Sequence, residues 1–223
     1  MEVTFVRHGE SLANIGQSKD PDSVLTPRGE AQADLTALRL AGDARRLGSF
    51  SRAFISPFRR TLLTFRPIQR ELGVPAEIDP EICEYFHEKT DWYRTFVGIT
   101  EDEIRREFPD IDTRAAFAAN ARWWPSPLED THAVRARAAR VASDLRAAYG
   151  ATDSRLLIVS HAETIGRMVE ALMGWDHADE APWTNNCAIW RIAAGSEPGD
   201  ARLILRNSHE HLAILELTGA AAS

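Results

Sequence analysis

Three short stretches carry residue types and spacings that could do phosphoryl chemistry. Arg7-His8-Gly9-Glu10 follows the apolar run Val3–Val6, with Ser11 next and Asn14 just beyond. Ser56-Pro57-Phe58-Arg59-Arg60-Thr61 follows Ala53, Phe54 and Ile55, and Ser160-His161 ends the run Leu156–Val159. An imidazole beside a fixed cation suits nucleophilic attack on phosphorus. Attack needs an unprotonated ring nitrogen, and neighbouring positive charge lowers the imidazole pKa toward that state. Gly9 reads as room for the backbone to approach phosphate oxygens. An arginine at the start of a helix adds a bidentate clamp where the helix N-terminus already favours anions. Each stretch alone would pass as ordinary surface, but three together are hard to explain as packing.

The elements that must hold these residues follow from periodicity. Val3–Val6, Ala53–Ile55 and Leu156–Val159 read as short buried strands. Thr26-Pro27 reads as an N-cap with proline at N1 and opens a helix to about Leu40. Further helices are expected after Ser56-Pro57 to about Leu72, from Glu163 to Met173, and near 129–149. In the last of these Val134, Ala138, Val141, Leu145 and Ala148 share a face, leaving Arg135, Arg137, Arg140 and Arg146 on others. Two late strands near 187–193 and 202–206 flank a turn at 195–200. Strand, crossover helix, strand predicts an α/β fold: three layers, a mostly parallel sheet with helices on both faces. Ligands in such sheets bind at the C-terminal ends of the strands, where all three stretches lie. From about 80 to 127 the rhythm breaks. Tryptophans and phenylalanines crowd together there, and Thr100-Glu101-Asp102-Glu103 reads as a capping box. This segment is expected to be a helical cap inserted into one domain spanning 1–223.

Composition narrows the function classes. The 223 residues carry 44% hydrophobic and 26% charged side chains, ordinary globular values. A net charge of −7 argues against a nucleic-acid partner, since phosphate backbones select basic surfaces. It leaves room for a small anionic substrate held by local arginines. The two cysteines, Cys83 and Cys187, form neither a disulfide framework nor a metal motif. No membrane span or leader is visible, so the expected home is the cytoplasm, with no membrane partner. A homodimer is the assembly to test.

In sum the chain resembles the histidine phosphatase superfamily, in its phosphoglycerate mutase-like branch with the Arg-His-Gly motif. VRHGESLAN at 6–14, LTPRGEAQA at 25–33, SPFRRTLLT at 56–64, IVSHAETI at 158–165 and NSHEHL at 207–212 carry the resemblance in order along the chain. The resemblance implies that His8 is the nucleophile that becomes phosphohistidine. It implies that Arg7, Arg60 and His161 line the phosphate pocket, with Asn14 and the N–H of Ala162 on phosphate oxygens. The family spacing from Ser56 selects Arg60 over Arg59, which is expected to face solvent. The family's apolar-x-Glu pattern falls on Ile82-Cys83-Glu84 and makes Glu84 the proton donor, with Glu81 and Glu88 as competitors. Family members often carry glycine where Ala162 stands. The mutase subgroup's asparagine-glutamate-arginine run is absent, the chain reading Glu84-Tyr85-Phe86-His87 instead.

The expected activity is therefore a phosphomonoesterase acting on a small phosphorylated metabolite, without metal or other cofactor. A mutase primed by a bisphosphorylated sugar acid is the alternative, and a non-catalytic phosphate-binding module is the third. Substrate choice is expected from the cap, where Trp92, Trp123 and Trp124 would give a partly aromatic pocket of broad specificity.

Overall fold

Strand residues of this chain divide by alternation between two hydrophobic cores. On β1 (Glu2–Arg7), Val3 and Phe5 enter one core and Val6 the other. On β2 (Arg52–Ile55), Ala53 and Ile55 oppose Phe54. A sheet with both faces buried needs such near-continuous apolar strands, because side chains point alternately up and down. The computed structural model describes residues 1–85, 96, 98–113, 129–176, 181–197 and 199–215.

Around these strands run α1 (Pro27–Leu47), α2 (Arg59–Leu72), β3 (Ala76–Ile78), α3 (Glu101–Glu107) and β4 (Ile111–Thr113). There follow α4 (Thr131–Tyr149), β5 (Arg155–Ser160), α5 (Ala162–Met173), β6 (Ile189–Ala194) and β7 (Ala201–Ser208). The sheet order is β4-β3-β2-β5-β1-β6-β7. β4, β3, β2, β5 and β1 run parallel, while β6 and β7 are antiparallel at one edge. Helices α1, α2 and α3 pack over one face and α4 and α5 over the other. The late NSHEHL stretch closes β7 at that antiparallel edge. Among the described residues, no helix is long and apolar enough to cross a membrane.

Local chemistry explains the helix ends. Thr26 caps α1 by accepting the Gly29 N–H at 3.0 Å, with Pro27 at the first position. This helix runs past Leu40 to Leu47, its last turn carrying Arg45 and Arg46, and stops at Gly48 with φ of 98°. The capping box forms at α3, where Thr100 and Glu103 satisfy each other's backbone N–H groups.

The segment expected to be wholly helical is not. Ile111–Thr113 adds to the sheet as its edge strand, parallel to β3. Only α3 and a single 3₁₀ turn at Pro80–Ile82 are helical among the described residues from 80 to 127. Two arginines on α4 also depart from expectation. Arg137 and Arg146 are buried, because a guanidinium can satisfy several backbone carbonyls at once. Arg146 donates to the Gly195 carbonyl at 2.6 Å and the Leu172 carbonyl at 2.7 Å.

Candidate active site

β1, β5 and β2 are neighbours, so their C-terminal ends deliver His8, His161 and the start of α2 to one crevice. The rings of His8 and His161 lie 5.2 Å apart between centroids, a gap one phosphate can bridge. Both are buried, as are Arg7 and Arg60.

The tautomer of His8 follows from its neighbours. Its Nδ1 lies 2.7 Å from the carbonyl oxygen of Gly9, which can only accept, so Nδ1 carries the proton. Nε2 is thereby left with a lone pair, and Arg60 Nε donates to it at 3.2 Å. Burial, then the charges of Arg60 and Arg7, push the His8 pKa well below the ordinary imidazole value. Arg60 is itself aimed by the Pro21 carbonyl at 2.7 Å and lies over the Phe58 ring at 4.1 Å.

The His161 pKa is pushed well below the ordinary imidazole value in the same way, by burial first and then by Arg60. Its Nε2 is 2.8 Å from the Ser56 hydroxyl, while its Nδ1 is buried without a partner. The Glu84 carboxylate lies 4.0 Å from that Nδ1. Arg7 donates to the Thr184 carbonyl at 2.7 Å, and its Nε is also buried and unpartnered. Buried donors left without acceptors are costly, and an anion between them would satisfy both.

Burial raises the Glu84 pKa above the ordinary carboxylate value, against the pull of Arg60 and Arg7. Of its competitors, Glu81 points outward and pairs with Arg140 at 3.0 Å, both largely exposed. Glu88 lies outside the described residues, as do His87, Trp92, Trp123 and Trp124. Glu163, in the first turn of α5, binds Arg167 at 3.0 Å, an i,i+4 pair whose guanidinium is buried.

Asn14 is exposed on the loop after β1. Its Oδ1 accepts from the Ser11 N–H at 3.0 Å and from Asn186 at 3.2 Å. Ala162 opens α5, where N–H groups lack intrahelical partners. It is not among the residues with positive φ, so alanine stands there without backbone strain.

Gly9 also has a packing task. Its N–H is taken by the Thr64 hydroxyl at 2.9 Å. A Cβ there would meet the Gly29 carbonyl oxygen at 2.5 Å, so Gly9 lets the start of α1 pack against the loop. Arg59 does not face solvent freely either. It is 29% exposed and pairs with Glu107 at 2.9 Å and Glu103 at 3.4 Å, tying α2 to α3.

Several supporting residues carry no local signal in sequence. Thr184 aims Arg7, and its hydroxyl accepts from Trp190 at 3.0 Å. Asn186 joins the His8 carbonyl, at 2.9 Å, to Asn14. The amide of Cys187, held at φ of 54°, donates to the Arg7 carbonyl at 3.0 Å. All lie in the irregular stretch before β6, some 180 positions from the residues they hold.

Asp22 is buried at the N-terminus of α2, accepting the Arg59 N–H at 2.7 Å. Burial raises its pKa from 3.8 to about 7. A raised acid favours the fold in its neutral form, so that stability is present below the unfolded value and is lost as pH climbs through the folded one. Asp22→Asn is therefore expected to gain on the parent between pH 4 and 7, by up to about 4 kcal/mol at 1.36 kcal/mol per unit. Urea unfolding across that range measures it. A difference independent of pH would mean Asp22 is ionised throughout.

Known proteins resemble this chain in sequence and in fold. A protein named "Probable phosphoglycerate mutase GpmB" from Enterobacter sp. (strain 638) is 31% identical over 217 residues, covering 89% of this chain and 87% of the relative. Its namesake from Erwinia tasmaniensis is 28% identical over 208 residues, with the same coverage. A mycobacterial glucosyl-3-phosphoglycerate phosphatase solved with VO3 superposes with a TM-score of 0.65 at 21% identity, over 93% of this chain and 99% of that one. Phosphoserine phosphatase from Entamoeba histolytica, in complex with 3-phosphoglyceric acid, gives 0.63 at 19% identity, over 95% and 98%. These two share the fold. The family model of the histidine phosphatase superfamily (branch 1) matches residues 3–205, nearly the whole sequence including both histidine-bearing strands, and the chain belongs to that superfamily.

Proposed function

We propose that the protein hydrolyses small phosphomonoesters through a phosphohistidine on His8. One observation carries the reading: the Nδ1 proton of His8 is committed to the Gly9 carbonyl, leaving Nε2 as a lone pair beside the Arg60 guanidinium. In the first step Nε2 attacks phosphorus in line, the N–P bond forms, and the bond to the ester oxygen breaks. Glu84, protonated, gives its proton to that oxygen. In the second step a water loses its proton to the Glu84 carboxylate and attacks phosphorus, the N–P bond breaks, and free phosphate leaves. Arg7, Arg60 and His161 hold the phosphoryl oxygens throughout, in a buried setting where fixed charges act strongly. Asn14 and the Ala162 N–H are assigned to the rim of the same pocket.

Glu84→Gln tests the acid. Alkyl phosphates, with poor leaving groups, are expected to lose on the order of 10²–10⁴ in kcat/KM, and p-nitrophenyl phosphate far less. The pH profile for an alkyl phosphate should fall on its basic side as Glu84 loses its proton, with a midpoint above the usual carboxylate range. That limb should vanish in the glutamine variant. Equal loss on both substrate types would move the acid elsewhere.

The mutase names of the curated relatives support a second reading, in which the phosphoryl group returns to another hydroxyl. Hydrolysis is preferred because the chain after Glu84 lacks the mutase subgroup's run. Incubation with p-nitrophenyl phosphate and with 3-phosphoglycerate separates the two. Free phosphate from the first, without isomer from the second, is the expected outcome; 2-phosphoglycerate without free phosphate would make the protein a mutase.

A further inference from the structure

Among the described residues, the Glu84 carboxylate accepts one hydrogen bond, from the amide of the very next residue, Tyr85, at 2.8 Å. Its place near His161 is therefore set by the backbone that leads into it. That backbone is fixed with unusual completeness. The Ile82 carbonyl accepts from the Ser160 hydroxyl at 2.7 Å, and the Cys83 carbonyl from the Thr164 hydroxyl at 2.6 Å. The Glu81 carbonyl accepts from Arg137 Nη1 at 2.6 Å, and the same nitrogen reaches the Cys83 carbonyl at 3.2 Å. Ser160 directly precedes His161, so these bonds tie the acid's segment to the strand that carries the second histidine.

Arg137 is the member of this set that comes from outside the site. It stands on α4, 3% exposed, and its other edge is gripped by Glu129, itself 7% exposed. Nε donates to Oε1 at 2.6 Å and Nη2 to Oε2 at 2.7 Å, a two-pronged pairing only a guanidinium can make. The fork thus spends two donors on its counter-ion and points the remaining nitrogen at two carbonyls of the acid's segment. A buried ion pair is a poor source of stability, since taking both charges out of water costs several kcal/mol per ion. Holding a rigid fork against a strand end is a use that repacking with apolar residues could not reproduce.

We infer that Arg137, charge-paired with Glu129, is a positioning residue for Glu84, setting the distance from the acid to the ester oxygen. This rests on Glu84 as proton donor, and goes beyond it by assigning a role to a pair that touches no substrate. A loss of position matters most where proton transfer is most needed, because a displacement near 1 Å can cost on the order of 10² in rate.

The experiment compares kcat for an alkyl phosphate and for p-nitrophenyl phosphate in Arg137→Met, Arg137→Lys, Glu84→Gln and the double variant Arg137→Met with Glu84→Gln. Arg137→Met is expected to lower the alkyl rate about 10- to 100-fold more than the aryl rate, the same direction as Glu84→Gln. KM for the aryl substrate should change little, and Arg137→Lys should recover part of the ratio. In the Glu84→Gln background, Arg137→Met should leave the ratio where it is. Should Arg137→Met not fold, Glu129→Gln keeps the shape of the pair, removes its buried charge and reports the same ratio. A shifted ratio in Glu84→Gln with an unshifted one in the Arg137 or Glu129 variants overturns the positioning role and spares the acid. An unshifted ratio in Glu84→Gln overturns the acid assignment, and the positioning role falls with it.

Discussion

Replacing His8 with alanine is expected to abolish turnover and phosphoenzyme formation together, with a loss on the order of 10⁵–10⁶ in kcat, the scale seen when a covalent nucleophile is removed. The physical ground is the placement of His161, the other imidazole among the described residues of the crevice. The Nε2 of His161 is engaged by Ser56 at 2.8 Å, and its Nδ1 faces the Glu84 carboxylate. Attack by the Nε2 of His161 would require it to leave Ser56 and turn. Circular dichroism should be unchanged, since His8 is held by Gly9 and Arg60 and holds no core residue in return. Steady-state assay and phosphate release measure the loss. A residual rate within tenfold of the parent would mean that water attacks phosphorus directly.

Arg60→Ala carries the second large effect. Removing one preorganised donor to developing charge costs on the order of 10²–10³ in rate. A second consequence follows from electrostatics. The Arg60 charge helps to lower the pKa of His8, so its removal raises that pKa and moves the acid limb of the pH profile upward. Arg60→Lys should restore the limb better than the rate, because an ammonium supplies the charge without the fork. Rates against pH for the three proteins test this. A rate loss with an unmoved acid limb would place His8 outside the field of Arg60.

How much of this was legible in sequence depended on how local each signal was. His8, Arg60 and His161 sit within contiguous motifs at the ends of apolar runs, so their strands and their meeting point could be read directly. β3 and β4 are three residues each, too short for any period to show, and β4 lay inside a stretch whose capping box suggested helix. Arg137 lies off the apolar stripe of its helix, so periodicity gave no sign of its burial. Its burial depends on Glu129 and on carbonyls 54 and 56 positions away. Thr184 and Asn186 act across longer gaps still, 177 and 178 positions, through bonds that no local pattern encodes. Gly9 was legible as a glycine that had to be there, but the close approach of Gly29 was not.

Phosphohistidine on His8 is the central claim, and a rapid quench is its most direct test. The protein is mixed with p-nitrophenyl phosphate, stopped in base within the first turnovers, digested, and read by mass spectrometry with ³¹P NMR on the intact protein. One phosphoryl group is expected on the peptide containing His8, stable in base, lost in acid, and discharged when unquenched enzyme is left in water. Turnover with no phosphoryl group on the protein, or with it on any residue other than His8, would rule out His8 as the nucleophile.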